Sequence, residues 1–298
     1  RISHENLRVR DAAWLEGYER WFAEHNSVLA NAGPPGKPVP PMFTPYKVRE
    51  VVLPNRIVVS PMAQYSAVDG IVGDYHLVHL GARAMGGAGF VFAEMTCVSE
   101  TGRITPSCPG LYTDAQANAW QRIVDWVHQN THAKIGMQLG HAGAKGSTKL
   151  AWEGIDQPLD QGNWPLLSAS PQRYIEGVSD TSAAMSRSEM DEVLAQFVAA
   201  AQRAKVIGVD WLELHCAHGY LLSSFISPLT NQRDDEYGGS LQNRLRYPLE
   251  VFAAVRAVWP IEKPMSVRIS AHDWVPGGIT PIDAVSIAKA FRAAGADM

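Results

Sequence analysis

The densest group of potentially reactive side chains lies between Glu213 and Leu221. Two histidines, His215 and His218, stand three residues apart, and Tyr220 follows them. Two imidazoles at this spacing can ligate a metal ion, or they can donate hydrogen bonds to one substrate oxygen. A metal needs a third ligand, and none stands at an obvious spacing, so we predict no metal site. Two donors aimed at one oxygen would stabilise developing negative charge, and the tyrosine hydroxyl can release a proton.

Short apolar segments alternate with helical segments from Met42 onward, which predicts a parallel β-sheet. Polar residues stand at or near the carboxyl ends of several predicted strands, namely Gln138, His215 and Arg268. This placement is typical of the functional face of a (β/α)8 barrel, whereas a doubly wound sheet concentrates its chemistry at one switch point. The fold class is therefore predicted as α/β, a (β/α)8 TIM barrel truncated after about five βα units. The predicted strands cover residues 56–62, 90–95, 135–139, 209–215 and 265–269.

Helix starts can be read after several of these strands. Thr113 with Gln116, and Ser186 with Glu189, have the residue types and spacing of capping boxes. Thr280 precedes a proline that would stand in the first helical turn, where a missing N–H has no cost.

The chain divides into three predicted parts. Residues 1–32 form the helical tail of a preceding domain, residues 33–41 form a proline-rich linker, and residues 42–298 form a barrel domain whose C-terminal part is missing. The alternative is that the tail is an arm of the barrel domain. A helix is predicted over residues 5–25. Its apolar face contains Leu15, Tyr18, Trp21 and Phe22.

A long segment between Ala142 and Met185 is rich in Gly, Pro, Ser, Gln and Trp. It leaves the predicted strand end that carries Gln138 and His141, so we interpret it as a lid over the functional face. The alternative is a surface excursion that only covers the rim of the barrel.

Four further histidines have weaker spacings. A predicted helix end lies between His128 and His132, where a cation suits the helix dipole. His76 and His79 would share one face of a helix. We interpret all four as structural or solvent-facing residues.

The composition excludes several classes of protein. Hydrophobic residues make up 46% and charged residues 19% of the 298 residues, which favours a large buried core over disorder. A net charge of −4 gives no basic field for nucleic acid or an anionic membrane. No apolar run approaches the roughly 18 residues of a membrane span. The cysteines Cys97, Cys108 and Cys216 form no CxxC pair, so we predict no disulfide framework and a cytoplasmic location.

Seven short motifs along the barrel domain complete the pattern. They are LPNR at 53–56, SPM at 60–62, QL at 138–139 followed by HAG at 141–143, HCAHGY at 215–220, SPLTN at 227–231, DEYGGS at 235–240 and NR at 243–244. With these motifs, the segment from about Met42 to Met298 resembles the Old Yellow Enzyme family of FMN-dependent ene-reductases. It is most similar to the bacterial subgroup of YqjM-like NADPH dehydrogenases.

This resemblance implies an oxidoreductase with FMN across the carboxyl-terminal mouth of the barrel. NADPH or NADH would reduce the flavin, which would then reduce an alkene conjugated to a carbonyl group. His215 and His218 would hold the carbonyl oxygen, Tyr220 would protonate the α-carbon, and Tyr65 would close over the substrate. An arginine near the flavin N1 favours the anionic reduced form. The FMN-binding residues would be Ser60, Pro61, Met62, Ala63, Met95, Gln138 and Arg268.

The opening segment and the linker also resemble the junction in two-part flavoenzymes. In those enzymes a flavin monooxygenase that acts on salicylyl-CoA or 2-aminobenzoyl-CoA precedes such a reductase. The expected partners are a small enone or an acyl-CoA substrate and a covalently fused monooxygenase, without nucleic acid or membrane. Assembly into a homo-oligomer is a further alternative.

Two features depart from the family pattern. Ala63 stands where the YqjM-like enzymes have a cysteine that hydrogen-bonds to the flavin, which implies a different redox potential. The family's phosphate-binding loops follow strands seven and eight, so part of the cofactor site is expected beyond Met298. Two alternatives stay open: a metal-dependent barrel hydrolase that uses His215 and His218, and a non-catalytic barrel that scaffolds a fused monooxygenase.

Overall fold

The computed structural model describes residues 3–26, 28 and 40–298. The strands are β1 (Tyr46–Val48), β2 (Val51–Leu53), β3 (Val58–Val59), β4 (Phe90–Cys97), β5 (Lys134–Gly140), β6 (Leu167–Ser168), β7 (Gln172–Arg173), β8 (Thr181–Ala184), β9 (Trp211–Cys216) and β10 (Met265–Ile269). The helices are α1 (His4–Arg10), α2 (Ala12–Glu24), α3 (Asp74–Met85), α4 (Asp114–Asn130), α5 (Ala151–Gly154), α6 (Arg187–Val206), α7 (Leu221–Ile226), α8 (Leu241–Val258) and α9 (Pro281–Ala293). Single 3-10 turns occupy Pro41–Phe43 and Gly143–Lys145.

Five strands form one sheet in the order β10-β9-β5-β4-β3, and every pair in it is parallel. All eight residues of β4 are buried, as expected for a strand covered on both faces. Helices alternate with these strands along the chain. The predicted α/β class is confirmed, and all five predicted strands occur, although the one predicted over residues 56–62 is reduced to the two residues of β3. The sheet is half of a barrel.

The outer face of the sheet packs against the helices. Leu212 and Leu214 of β9 lie in one large apolar cluster with Trp120 of α4, Phe197 of α6 and Tyr247 of α8. Each of these side chains is essentially inaccessible to solvent. This layer of helices stabilises the strands and leaves their inner face to the interior of the barrel.

The inner face is apolar at the amino ends of the strands. Phe90 lies with its ring centroid 4.5 Å from that of Phe92 and 5.3 Å from that of Trp211. A side chain at Gly136 would place its Cβ 2.4 Å from the Phe90 ring, so only glycine fits beside these rings. The β1–β2 hairpin covers this cluster with residues such as Leu53 and closes that end of the interior.

The predicted helix starts are confirmed. Thr113 with Gln116, and Ser186 with Glu189, form capping boxes at the starts of α4 and α6. Thr280 caps α9 by accepting a hydrogen bond from the backbone N–H of Asp283.

The N-terminal helix differs from its prediction. Asp11 leaves the helical region with φ −156°, and its carboxylate accepts a hydrogen bond from the Trp14 N–H at 2.9 Å, which starts a second helix. The chain therefore has two helices where one was predicted. Leu15 is buried as expected, but Tyr18 and Trp21 of the predicted apolar face are exposed.

Helix α2 contacts the barrel domain through Arg56. The guanidinium of this residue lies 4.7 Å from the Phe22 ring centroid and 4.6 Å from the Tyr46 ring centroid. Residues 33–39 of the predicted linker lie outside the described residues, and Pro41 already belongs to a 3-10 turn.

Two other parts of the chain have more structure than predicted. The β1–β2 hairpin was not predicted, because strands of three residues carry no readable periodicity. The segment between Ala142 and Met185 contains α5 and a small sheet in the order β6-β8-β7. Its function as a lid stays a prediction.

Residues Asp297 and Met298 run along β10. The Asp297 N–H donates to the Met265 carbonyl at 2.9 Å, and the Val267 N–H donates to the Met298 carbonyl at 3.0 Å. None of the helices in the described part of the chain combines the length and the apolar character needed to span a bilayer.

Candidate active site

The candidate site lies at the carboxyl ends of β5, β9 and β10. In the sheet register, Arg268 of β10 pairs with His215 of β9, and Gln138 of β5 pairs with Glu213 of β9. Because alternate side chains share one face of a strand, Trp211, Glu213 and His215 all lie on the inner face. The structure thus brings the predicted residues Gln138, His215 and Arg268 to one end of the barrel interior.

The two histidines and the tyrosine are in mutual contact. The ring centroids of His215 and His218 are 5.0 Å apart, and those of His215 and Tyr220 are 4.8 Å apart. All three rings meet edge to face, at interplanar angles of 69° to 87°. The loop between β9 and α7 therefore directs both imidazoles and the phenol toward one small region.

The backbone holds His218 in an uncommon conformation. This residue has φ 62°, in the left-handed region that a non-glycine residue seldom adopts. Its N–H donates to Ser270 Oγ at 3.1 Å, and its carbonyl accepts a hydrogen bond from Lys145 Nζ at 3.1 Å. Two other segments of the chain therefore fix this turn from both sides.

The imidazole of His215 is neutral and has a defined tautomer. Burial lowers its pKa to about 3, and the nearby His218, Arg268 and Lys145 act in the same direction. Its Nδ1 accepts a hydrogen bond from the Ala217 N–H at 3.2 Å, which leaves the proton on Nε2. His215 can thus donate one hydrogen bond to a substrate without carrying a charge.

Partial desolvation also lowers the pKa of His218, assisted by the charges of Arg268 and Lys145. This histidine is exposed, in contrast to His215. It is therefore the member of the pair that is more accessible to a substrate entering from solvent.

Two tyrosines lie at the same mouth and keep their protons. Burial raises the pKa of Tyr65 to about 12, and burial together with Tyr65 raises the pKa of Tyr220 above its usual value. Both rings pack against an apolar cluster that includes Met95 and Cys108. The hydroxyl groups are neutral donors across the physiological range of pH.

The predicted flavin-edge segment lies above the carboxyl end of β4. Ser60, Met62 and Ala63 are exposed, and Pro61 is half-buried. Met95 is buried, and its Sδ would lie 2.7 Å from a Cβ placed at Gly140, so it packs directly over the end of β5.

A buried carboxylate anchors this segment. Glu94 Oε2 accepts a hydrogen bond from the Gln64 N–H at 2.6 Å, and Glu94 Oε1 lies 3.3 Å from His76 Nε2. His76 Nδ1 accepts from the Gly73 N–H at 3.3 Å. His76 is therefore a structural histidine, as predicted, but the sequence analysis did not identify Glu94 as its partner.

Lys145 is a second residue that the sequence analysis missed. Its Nζ lies 5.2 Å from the Tyr220 ring centroid and 4.1 Å from the Tyr174 ring centroid. The motif HAG at 141–143 is followed two residues later by this lysine, and that proximity is the signal that could have identified it.

The third missed residue is Glu213, which lies below the mouth. Its Oε1 accepts a hydrogen bond from Gln138 Nε2 at 2.8 Å, and its Oε2 accepts from Ser266 Oγ at 3.0 Å. Burial raises the pKa of Glu213, while these two hydrogen bonds and Arg268 act in the opposite direction. Its position two residues before His215 places it on the same face of β9 and could have indicated its role.

Groups of three or more His, Cys, Asp or Glu arranged for a metal ion do not occur within residues 3–26, 28 and 40–298. The donors that are present suit an organic cofactor. The carboxamide of Gln138 and the guanidinium of Arg268 are complementary to the alternating N–H and carbonyl groups of a flavin pyrimidine ring.

Comparison with known proteins assigns the family. The sequence profile of the NADH:flavin oxidoreductase / NADH oxidase family matches residues 41–298. The chain belongs to this family. Enzymes of this family use FMN, with NAD(P)H as the hydride donor. The resemblance to Old Yellow Enzyme-like oxidoreductases is thereby confirmed.

Alignments with two relatives show how much of a family member's length this chain covers. An NADPH dehydrogenase of Listeria monocytogenes is 40% identical over 259 residues, which cover 86% of this chain and 71% of the relative. An NADH:flavin oxidoreductase of Gibberella zeae is 42% identical over 237 residues, which cover 78% of this chain and 57% of the relative. The chain thus spans little more than half of the second protein.

Two solved structures share the fold. Morphinone reductase in complex with tetrahydroNAD matches with a TM-score of 0.74 and 29% identity, over 87% of this chain and 72% of its own. A 2-naphthoyl-CoA reductase in complex with 2-naphthoyl-CoA matches with a TM-score of 0.77 and 25% identity, over 86% of this chain and 39% of its own. The half-barrel therefore corresponds to part of the barrel of this family.

Proposed function

We propose that the chain forms the substrate-activating part of an FMN-dependent reductase that uses NAD(P)H to reduce an alkene conjugated to a carbonyl group. The observation that carries this proposal is the convergence of His215, His218 and Tyr220 beside Arg268 at one mouth of the barrel. Such a cluster suits a reaction in which negative charge develops on a carbonyl oxygen and a proton must be supplied nearby.

The residues present at the mouth fit FMN. Gln138 and Arg268 would hold the pyrimidine edge of the ring, and the backbone of residues 60–63 and the Met95 side chain would line the rest of it. The chemistry that FMN supplies when bound is the transfer of a hydride from NAD(P)H to the alkene. The alanine at position 63 supplies no thiol where the YqjM-like enzymes have a cysteine.

His215 and His218 bind the carbonyl oxygen of the substrate. His215 donates through Nε2, because its Nδ1 is occupied by the Ala217 N–H. A hydrogen bond from a neutral donor strengthens as negative charge develops on the acceptor, most of all for the buried His215, so the pair contributes more in the transition state than in the ground state. Lys145 and Ser270 hold His218 in the orientation that this contact requires.

Tyr220 holds the proton that the α-carbon receives. Its raised pKa keeps the hydroxyl protonated, and it lies against His215 at the place where the carbonyl group is held. Tyr65 lies across the same apolar cluster and covers the substrate from the side of the β3–α3 loop. Both tyrosines exclude water from the reacting carbon.

We infer that the complete enzyme contains βα units beyond the five of this chain, since the match covers only 57% of one relative and 39% of one fold neighbour. The family's phosphate-binding loops belong to such later units. In the tests below, the complete enzyme means the barrel with all of its units.

For the substrate, we favour an aromatic-derived acyl-CoA over a small free enone. The fold neighbour whose structure contains 2-naphthoyl-CoA supports this choice. A thioester carbonyl conjugated to a ring alkene would meet the same imidazole pair. The helices α1 and α2 would then be the end of a fused monooxygenase that supplies the acyl-CoA, while the barrel acts as its reductase.

The test is made on the complete purified enzyme. We expect a bound flavin with an FMN mass, oxidation of NADPH or NADH that depends on 2-cyclohexenone, and a saturated ketone as product. A protein that lacks flavin but contains stoichiometric zinc and hydrolyses esters would instead support the hydrolase. A protein with bound flavin but no alkene reduction for any enone or acyl-CoA tested would support a scaffold.

A further inference from the structure

A chain of hydrogen bonds crosses the inner face of the sheet directly below the candidate site. Trp211 Nε1 donates to Ser266 Oγ at 2.9 Å, and Ser266 Oγ donates to Glu213 Oε2 at 3.0 Å. From the other side, Gln138 Nε2 donates to Glu213 Oε1 at 2.8 Å. The chain links β5, β9 and β10. Gln138 and Ser266 are both paired with Glu213 in the sheet register, and Trp211 stands two residues before Glu213 on the same face of β9.

The direction of the two hydrogen bonds that involve Ser266 is determined by chemistry. An indole N–H can only donate, so Ser266 accepts from Trp211 and directs its own hydroxyl proton to Glu213. With Gln138 donating to Oε1, both oxygens of Glu213 act as acceptors, which is the pattern of an ionised carboxylate.

This arrangement fixes the carboxamide of Gln138. Its Nε2 faces Glu213, and no hydrogen bond from the described part of the chain reaches its Oε1. The side chain is buried, with 2% of its surface exposed, so it has little freedom to turn over. Gln138 therefore presents its carbonyl oxygen, and its second N–H, as the groups available to a ligand at the mouth.

Glu213 also acts on Arg268. The carboxylate and the guanidinium stand two residues apart in register on neighbouring strands, Glu213 opposite Ser266 and Arg268 opposite His215. The charge of Arg268 lowers the pKa of Glu213, so the two groups interact favourably. Of the other residues that pack on the carboxylate, Gln138 and Ser266 are neutral, and His215 on the same face of β9 is neutral as well.

We propose that Glu213 is a positioning residue of the FMN site, which orients the Gln138 carboxamide and offsets part of the Arg268 charge. This inference rests on the proposed function, because it assigns Gln138 and Arg268 to the flavin. It adds a specific consequence: the carboxylate below the site lowers the reduction potential of the bound flavin.

The physical reason is the sign of the charges. Reduction adds negative charge to the flavin, and a guanidinium stabilises that charge. A carboxylate beneath the same ring opposes it. Neutralising Glu213 without changing its shape therefore favours the reduced form of the cofactor.

The first test compares Glu213→Gln with the wild-type complete enzyme, with FMN bound, in a potentiometric titration above about pH 8, where an ordinary carboxyl is ionised. Glutamine can still accept from Gln138 and can bond to Ser266. We expect the ratio of the dissociation constants of oxidised and reduced FMN to rise by roughly tenfold. That change makes the potential more positive by about 30 mV for a two-electron couple.

A second pair of variants separates charge from orientation. Glu213→Leu removes the acceptor as well, so we expect weaker binding of oxidised FMN in addition to the more positive potential. Asp191→Asn is the matched control, because it also removes one negative charge, at an exposed ion pair with Arg187. We expect wild-type potential and wild-type FMN affinity in that control.

Ser266→Ala keeps the inference testable if changes at Glu213 itself prevent folding. This variant removes one donor to the carboxylate, so the pKa of Glu213 should rise. The curve of potential against pH should then change its slope at a higher pH than in the wild-type enzyme.

The outcomes are distinguishable from those of the proposed function. A wild-type enzyme without bound flavin or alkene reduction contradicts the proposed function. A wild-type enzyme that has both, together with Glu213→Gln and Ser266→Ala variants that keep the wild-type potential at every pH, contradicts the role of Glu213 alone.

Discussion

The two ends of the five-stranded sheet use the same strands for opposite purposes. At the amino ends, the inner face contains Phe90, Phe92 and Trp211 in ring contact, covered by Leu53 of the hairpin. At the carboxyl ends, the inner face is polar, and the loop after β9 holds His218 in a left-handed conformation. One end is closed by packing, and the other is open to a ligand.

This difference shows how the fold stays stable although it buries polar side chains at the candidate site. Buried imidazoles and a buried carboxylate reduce stability unless they are hydrogen-bonded, and the aromatic cluster stabilises the same strands a few residues away. Substitutions at the amino ends should therefore change the free energy of unfolding, whereas substitutions at the carboxyl ends should change binding and rate.

The largest effect on stability is expected at the aromatic cluster. Phe90→Ala removes a ring that is 1% exposed and leaves a cavity beside Phe92 and Trp211, so we expect a loss of about 3–5 kcal/mol in the free energy of unfolding. Urea denaturation of the complete enzyme measures it. A midpoint equal to that of the wild-type enzyme would show that the hairpin end is not a tightly packed core.

Acid should destabilise the carboxyl end. Burial lowers the pKa of His215 to about 3 and that of His141 to about 4, from 6.5 in an unfolded chain. The unfolded chain therefore binds protons below pH 6.5 that the folded protein does not bind. Stability is fully present above 6.5 and falls as the pH is lowered, by up to about 1.4 kcal/mol per pH unit for each histidine.

This prediction is checked by denaturation between about pH 6.5 and pH 5, before ordinary carboxyl groups titrate. The variant His215→Asn should lose the part of the slope that His215 contributes, up to about 1.4 kcal/mol per pH unit. An equal slope in the variant and in the wild-type enzyme would contradict the assignment of the acid sensitivity to this end of the barrel.

Alanine substitutions at two glycines of β5 should have smaller effects that differ between the two ends of the strand. A Cβ at Gly136 would lie 2.4 Å from Cζ of Phe90, whereas a Cβ at Gly140 would lie 2.6 Å from Cγ of Met95. The packed ring cannot move, but the methionine side chain is flexible. We expect Gly136→Ala to cost about 1–3 kcal/mol of stability.

For Gly140→Ala we expect a smaller loss of stability and a clear change in FMN affinity, because Met95 is displaced into the candidate site. Denaturation and flavin titration of both variants give the comparison. If both substitutions destabilise the protein equally and neither affects flavin binding, the proposed division between the two ends fails.

The sequence predicted the five strands of the parallel sheet and several of the polar residues at their carboxyl ends. Parallel strands place their carboxyl ends at one edge, so polar residues at those ends, such as Gln138, His215 and Arg268, could be expected to converge. Its spacing from His215 could have placed Glu213 on the inner face, but its partners Gln138 and Ser266 could not be predicted, because they depend on the register between strands. The alternation within one strand fixes the face of each residue, but a shift of two residues between strands keeps every residue on its face, so the partners cannot be read from it.

Local competition explains the other differences. A helical pattern over residues 5–25 does not reveal that the Asp11 carboxylate binds the Trp14 N–H and divides the helix. The contact between His76 and Glu94 joins α3 to β4, and only tertiary packing brings these residues together.

The central claim is that the imidazole pair activates the substrate while the remaining residues hold the flavin. It is tested most directly by the double variant His215→Ala, His218→Ala of the complete enzyme, with His132→Ala, an exposed histidine at the opposite end of β5, as the control. We predict that FMN stays bound and that the rate of alkene reduction falls by about 10²–10³-fold, with no change in the control. Undiminished alkene reduction in the double variant, with FMN bound, would contradict the account.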